Sequence, residues 1–470
     1  MDNLAQVTTE HLPSHRPAAA PAAGRVPRLS LRENLAGVAA MRRDQLGFLI
    51  RTVRDKGDIF HMRLGGLPTV MVNHPDYLQH VLVDHHQNYN KDNFLYRATR
   101  TVLREGLVAN KGGAEWRRHR RLMQPSFQHA SVASFSANIS DLTGEMLNRW
   151  ETRFGDDTVV DVSTETADLA LQIVLRSLFG IVSPDRGRRF AEDFVEVNSI
   201  AGDFFRFPFP PLSWYSPKRN RLRALIRSLD AFIADLIEAR LNSETGQTDL
   251  FTLLLNAMDE ETGTGLTHDQ LASEILSMII AGYETSSNSI AWIFYQLAAH
   301  QDVQRRVQEE VDGVLAGRVP AFEDLPKLAY TRMVIDETLR MFTPAWQTMR
   351  HAIDDDVIGG YHIPRGTDIY LNMFTFHRHP EFWPEPDRFD PERFTPEEVA
   401  KRPRNVYQPF GSGPRHCLGK HFALTELHII TVMLAQRLHA TRPAGQPPAG
   451  FAPLITLHPK GGIHLRFKRR

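Results

Sequence analysis

One cysteine, Cys417, stands in this 470-residue chain, and its surroundings constrain the fold more than any other feature. It lies in the run Phe410-Gly411-Ser412-Gly413-Pro414-Arg415-His416-Cys417-Leu418-Gly419. Apolar residues at helical spacing follow: Phe422, Leu427, Ile430, Met433 and Leu434. The thiol therefore sits in a glycine-rich loop just before a helix. Unpaired N–H groups and partial positive charge at a helix N-terminus favour a thiolate. Gly411, Gly413 and Gly419 let the backbone fold tightly around the sulfur. Phe410 can cover one side of it, and Arg415 supplies a cation two residues earlier. One cysteine forms no internal disulfide and fits a reducing, cytoplasmic setting. Zinc and iron–sulfur sites need several such ligands, whereas a haem iron needs one. Taken without its neighbours, a lone cysteine is more often a small buried hydrophobe.

Lys plus Arg and Asp plus Glu number 55 each, so no charge excess suggests a nucleic-acid partner. No run of about 18 apolar residues is present, and no membrane span is expected. The N-terminus carries Pro17, Ala18, Ala19, Ala20 and Pro21 without an apolar core, so it does not read as a signal peptide. Residues 1–27 read as a disordered tail and 28–470 as a single domain.

In chain order, Asp44 to Lys56 reads as a helix, and Ile59 to Leu64 with Thr69 to Val72 as a hairpin. Lys91 to Gly113 shows no clean period and reads as a loop. Trp116 and Arg120, four apart, share a helical face. Val132 to Arg240 is mostly helical in pattern, interrupted by the aromatic and proline-rich stretch Phe204 to Tyr215. Thr267-His268-Asp269-Gln270 is a capping box that opens a helix running to about Ala299, roughly 45–50 Å long. At its centre lie Ile280, Ala281, Gly282, Tyr283, Glu284 and Thr285. A mid-helix glycine costs about 1 kcal/mol relative to alanine, and threonine can bond back and bend a helix. The spacing predicts a distortion there; a plain polar patch on a long helix is the alternative. Glu337 and Arg340 share one face of a later helix, a pairing common on exposed surfaces. Ile358 to Ile363 and Asp368 to Asn372 read as a hairpin around Pro364-Arg365-Gly366.

The loop at 410–419 matches Phe-x-x-Gly-x-Arg-x-Cys-x-Gly at every fixed position. Trp116-x-x-x-Arg120, Ala281-Gly282-x-Glu284-Thr285, Glu337-x-x-Arg340 and Pro391-Glu392-Arg393-Phe394 precede it in that order. From about Asp44 onward the chain resembles the cytochrome P450 family. With no membrane anchor, it is similar to the family's soluble bacterial members.

The resemblance implies a mainly α fold with small β-sheets. Haem b would lie between the long distal helix and the helix after the Cys loop, with Cys417 as iron ligand. Phe410, Gly411, Arg415, Gly419, Ala281 and Gly282 would contact the haem, and Trp116, Arg120 and Arg350 its propionates. Thr285 and Glu284 would deliver protons to dioxygen. Leu107, Val108, Phe204, Ile280, Ala281, Trp346, Gln347 and Leu454 would line the substrate pocket. Glu337, Arg340 and Arg393 would form a buried structural network. Arg117, Arg118 and Arg121 would face outward and help to dock an acidic electron donor.

The implied activity is hydroxylation or epoxidation of a hydrophobic small molecule: a terpene, a fatty acid or a polyketide-derived compound. Electrons would come from a ferredoxin and its reductase, since the chain carries no flavin or iron–sulfur motif. A peroxide-using haem-thiolate enzyme and a non-enzymatic haem sensor or carrier are the two other readings.

Overall fold

The structure is a computed structural model that describes residues 24–64, 67–153, 158–180, 184–206, 217–242, 249–258 and 263–470. Of the expected tail, residues 1–23 lie outside the described residues. Gly24 to Pro27 are built into the fold. β1 (Gly24–Arg25) pairs in parallel with β8 (Tyr361–Ile363), and the Pro27 carbonyl accepts the His61 N–H at 2.7 Å.

A five-stranded sheet forms one side of the molecule. β2 (Ile59–Leu64) and β3 (Leu67–Val72) make the expected antiparallel hairpin. β3 continues in parallel to β9 (Asp368–Asn372), which pairs with β6 (Gln347–Ala352), and β6 pairs with β4 (Tyr89–Asn90). The apolar runs of β2 and β3 serve both faces, because successive strand residues point opposite ways. Val70 and Val72 pack against Leu78 and Val81, while Phe60, Met62 and Met71 pack against Leu49. The second expected hairpin is placed differently. β7 (Asp356–Ile358) turns back into β8 across Gly359-Gly360, both at positive φ, and β9 belongs to the large sheet. Two glycines at left-handed angles make the tighter turn.

The remaining strands flank the helices. β5 (Val159–Asp161) pairs with β13 (His464–Arg469), and β13 with β10 (Leu438–Thr441). β11 (Gly450–Pro453) and β12 (Leu457–Lys460) form a hairpin near the C-terminus.

The first helices are α1 (Leu31–Arg43), α2 (Gln45–Lys56), which Asp44 caps, and α3 (Pro75–Gln79). A π turn, His80–Asp84, extends α3. The stretch expected to be a loop contains α4 (Phe94–Leu103). Asn93 caps it, and Leu95, Tyr96, Thr99, Val102 and Leu103 form its buried face. That face was present in the sequence, but one short helix among irregular flanks gives too few turns for a clear period.

α5 (Gly113–Met123), α6 (His129–Arg153), α7 (Val162–Phe179), α8 (Pro184–Arg206), α9 (Pro217–Leu241) and α10 (Leu250–Asn256) follow. α11 (His268–Ala299) has the predicted bounds and the predicted capping box between Thr267 and Gln270. It is buried on nearly every side, as befits a helix running through the core. Ala281, Gly282 and Thr285 are mid-helix exceptions, only half-buried.

α12 (Gln301–Leu315), α13 (Ala329–Met341), α14 (Met373–Phe376), α15 (Pro396–Lys401) and α16 (Lys420–Arg437) complete the chain. α16 begins just after the Cys loop and packs its Leu427, Ile430 and Leu434 into the same core as α11. Among the described residues, no helix is long and apolar enough to cross a membrane.

Candidate functional site

A cavity of about 400 Å³ opens between the middle of α11 and the Cys loop. The loop's shape follows from its glycines. Gly411 and Gly413 have φ of 68° and 67°. A Cβ on Gly413 would fall 1.9 Å from the Leu82 carbonyl oxygen, so no other residue fits there. The Cys417 N–H donates to the Phe410 carbonyl at 2.8 Å, closing the loop. Cys417 is exposed where it borders the cavity, although its sulfur lies deep in the fold. Phe410, Gly411, Arg415 and Gly419 line the same wall.

The sequence led to the expectation of a depressed thiol pKa, and the net effect is the reverse. Burial pushes the Cys417 thiol up, and the Gly419 N–H, Arg120 and Lys420 only partly oppose it. A metal ion on the sulfur would supply the missing positive charge and hold it as thiolate.

Ala281, Gly282, Glu284 and Thr285 form the opposite wall. α11 stays α-helical through this stretch. Thr285 Oγ donates to the Ala281 carbonyl at 2.8 Å, the back-bonding that its type permits. Gly282 has a packing reason. A Cβ there would meet Val174 Cγ2 of α7 at 2.9 Å, so glycine lets the two helices approach. Tyr283 points away from the cavity, onto Phe190 and Phe194 of α8.

Glu284 is buried, and one of its oxygens gathers three partners. Oε1 accepts from Asn198 Nδ2 at 2.7 Å and Thr456 Oγ at 2.8 Å, and His458 Nε2 lies 2.5 Å away. The carboxylate thus joins α11 to α8 and to the β11–β12 hairpin. Sequence reasoning missed all three partners. They come from distant segments and match no motif, so only the fold reveals them.

Four cations converge on the cavity: Lys91, Arg120, Arg350 and Arg415. Arg120 donates to the His416 carbonyl at 2.9 Å, Arg350 to the Met349 carbonyl at 2.9 Å, and Arg415 to the Asn110 carbonyl at 3.1 Å. Lys91, which no motif singles out, donates to the Val108 carbonyl at 2.7 Å. Trp116 stacks under Arg415, its ring 4.4 Å from the guanidinium. Among the described residues none of the four has a carboxylate partner within 4.0 Å. Burial, then Arg350 and Arg120, push the Arg415 pKa down to about 9. Burial, then Arg415 and Arg350, hold Lys91 well below its usual range. Buried like charges without counter-ions are costly. A haem, with a metal for the thiol and two propionates for the cations, fits this donor set.

The pocket expectations divide. Leu107, Val108, Ile280, Ala281 and Gln347 line the cavity. Trp346 does not. It is fully buried in the core against the large sheet, with its indole N–H donating to the Leu454 carbonyl at 3.1 Å. Leu454 is likewise displaced, and Ile455 and Thr456 at the hairpin tip face the cavity instead. The alternating pattern of a hairpin does not fix which tip residue points inward. The Phe204 side chain and residues 207–216 lie outside the described residues. Arg117 and Arg121 are exposed. Arg118, expected to face outward, is turned onto the start of α11, where it donates to Gln270 Oε1 at 3.0 Å and the Gly265 carbonyl at 3.1 Å.

Glu337, Arg340 and Arg393 do meet. Arg340 Nε and Nη2 donate to Glu337 at 2.7 and 2.9 Å, both side chains fully buried. Arg393 Nε lies 3.4 Å from Glu337 Oε1. Arg340 also donates to the His377 carbonyl at 2.8 Å, and His377 Nε2 accepts the Gln408 N–H at 3.0 Å. The network therefore reaches the base of the Cys loop.

Comparison with known proteins agrees with this geometry. The family model of cytochrome P450 matches residues 27–466. Cyclooctat-9-en-7-ol 5-monooxygenase of Streptomyces melanosporofaciens is 33% identical over 81% of this chain and 82% of its own length. Pentalenene oxygenase of Streptomyces avermitilis is 31% identical over 88% and 91%. Cytochrome P450 4B1 of Rattus norvegicus is 28% identical over 76% and 73%. Family, relatives and site agree: the chain belongs to the cytochrome P450 family and is a haem-thiolate monooxygenase, with a cysteine-ligated iron, a hydrophobic substrate and an external redox partner.

Proposed function

We propose that this enzyme hydroxylates or epoxidises a terpene, with haem b held at Cys417 and electrons from a ferredoxin reduced by a flavoprotein reductase. The observation that carries the site assignment is the shared cavity. It has Cys417 on one wall, Thr285 and Glu284 on the other, and at its side four cations that have no carboxylate partner among the described residues. The terpene class rests on the apolar lining and on the relatives named for cyclooctat-9-en-7-ol and pentalenene. The exposed Arg117 and Arg121 on α5, beside the Cys loop, support an acidic donor such as a ferredoxin.

When bound, the haem supplies dioxygen activation and one-electron chemistry. The chain does the rest. Cys417 is the thiolate ligand, and Arg120, Arg350 and Arg415 hold the propionates, with Trp116 braced beneath Arg415. Leu107, Val108 and Ile280 exclude water and seat the substrate's hydrocarbon. Gln347 borders the same space. The Thr285 hydroxyl can rotate off the Ala281 carbonyl and donate into the cavity. Glu284, one residue earlier and fixed by Asn198, Thr456 and His458, is the acid from which that hydroxyl is resupplied.

The test is a binding difference spectrum of the ferric protein with cyclic terpenes, long-chain fatty acids and macrolactones, followed by turnover with a ferredoxin–reductase pair. A low- to high-spin shift with terpenes and reductase-dependent product are expected. A shift with fatty acids alone would overturn the substrate class. Turnover with hydrogen peroxide but not with reductase would overturn the electron source.

A further inference from the structure

The π turn after α3 is bracketed by two histidines, His80 and His85, that the oxygenase site does not use. In an α-helix, residues five apart point about 140° away from each other. Here the His85 N–H bonds the His80 carbonyl at 2.8 Å, five residues back. The wider turn stacks the two imidazoles, with centroids 3.9 Å apart and planes at 33°. Such π turns are rare and occur often at functional sites. Asp356, at the start of β7, meets both rings. Its Oδ2 lies 2.9 Å from His80 Nε2, and its Oδ1 lies 3.3 Å from His85 Nδ1.

We infer that His80, His85 and Asp356 form a binding site for a divalent transition-metal ion of the zinc type. Their three ligand atoms all lie within 4.8 Å of one another. Zinc bonds of about 2.0–2.2 Å in a tetrahedron set ligands roughly 3.3 Å apart, so small side-chain rotations complete the site. Two imidazoles and one carboxylate select zinc, nickel or copper over magnesium or calcium.

The surroundings are those of a supported ligand. Tyr89 O–H donates to Asp356 Oδ2 at 2.7 Å and the Val357 N–H to Oδ1 at 2.8 Å, which fixes the carboxylate's orientation. Burial tends to raise the Asp356 carboxyl, but the bonds from Tyr89, His80 and Val357 outweigh it and hold the group below its usual range. The His85 side chain is 50% exposed and gives an ion a route from solvent, while Asp356 is only 8% exposed. The π turn also carries Leu82, whose carbonyl lies against Gly413. A bound ion would therefore tie the backbone behind the Cys loop to β7.

The test uses the full, haem-loaded, untagged chain, titrated with zinc against a fluorescent zinc chelator at pH 7.5. One zinc per chain is expected. His85→Ala and His85→Gln should each weaken it at least about 100-fold, more than an outer-shell change does, and Tyr89→Phe about 10-fold. His86→Ala should bind as wild type, because His86 Nδ1 is engaged with the Val83 carbonyl at 2.7 Å. Both His85 variants keep the fold, since the side chain is half in solvent; circular dichroism checks this. Failure to bind zinc at micromolar concentration, or unchanged affinity in the His85 variants, overturns the site. Equal competition by millimolar magnesium overturns the metal class.

Discussion

Replacing Glu337 by alanine tests the link between the buried ion network and the haem loop. The Glu337 carboxylate accepts two bonds from Arg340 and one from the Asp390 N–H at 3.0 Å, and pairs with Arg393. Its removal leaves the fully buried Arg340 charge uncompensated and orphans a backbone donor. Breaking a buried pair in this way costs about 3–5 kcal/mol. Whole-protein stabilities are only about 5–15 kcal/mol, so the loss is a large fraction. It is also local to the cofactor. Arg340 holds the His377 carbonyl, His377 holds the Gln408 N–H, and Gln408 accepts from the Gly411 N–H at 3.0 Å and the Ser412 hydroxyl at 3.0 Å.

The assay pairs urea unfolding with the carbon-monoxide difference spectrum of reduced protein, which counts thiolate-ligated haem per chain. Glu337→Ala should lower stability by about 3–5 kcal/mol and lose most of its haem. Glu337→Gln, which keeps the shape without the charge, should fall between. Glu392→Ala, which breaks an exposed pair with Arg306 at 2.7 Å, is the control and should stay within about 1 kcal/mol of wild type. A Glu337→Ala protein with full haem content and an unfolding free energy within about 1 kcal/mol of wild type would refute the reasoning.

Three further outcomes are expected. Gly282→Ala should destabilise by about 1–3 kcal/mol through its clash with Val174, and Val174→Ala should restore much of the loss; a Gly282→Ala protein as stable as wild type would show that α7 yields freely. Glu284→Gln should cut product formation by about 10²-fold or more, and His458→Ala by less while diverting electrons to free hydrogen peroxide; unaltered coupling in both would remove Glu284 from the proton path. Burial lifts the Glu426 carboxyl to about 8, with only the Ser286 hydroxyl opposing, so the native state keeps a proton that the unfolded chain releases near the ordinary glutamate value of 4.5. Stability contributed by that proton is present at low pH and lost as pH rises from about 4.5 towards 8. Glu426→Gln should therefore gain on wild type between pH 5.5 and 7.5 in urea unfolding; a constant difference would mean that Glu426 is ionised in the fold.

Much of the site was legible because its residues lie close together in sequence and obey local rules. The glycines of the Cys loop, the bounds and cap of α11, and the pairing of Glu337 with Arg340 all follow from turn geometry, capping and helical spacing. Where the reading failed, the deciding contact was distant. Trp346 and Leu454 lie in apolar stretches like those of true lining residues, yet neither lines the cavity: Trp346 is buried against the large sheet and its indole N–H bonds the Leu454 carbonyl. Arg118 sits in a basic run that looks solvated, but the start of α11 claims it. α4 was missed because ten residues offer less than three turns of pattern.

The sequence by itself determined that one sulfur must sit in a tight glycine loop before a helix, and that a long buried helix must carry Gly282, Glu284 and Thr285. These are statements about neighbours in the chain, where backbone geometry leaves few options. Only the tertiary structure decided what each group faces. It drew Lys91, Arg120, Arg350 and Arg415 together with no counter-ion among the described residues, gave Glu284 its partners on α8 and β12, and set Val174 where a side chain at 282 would go. Burial and electrostatic partnership are properties of packing, and packing joins segments that no local rule connects.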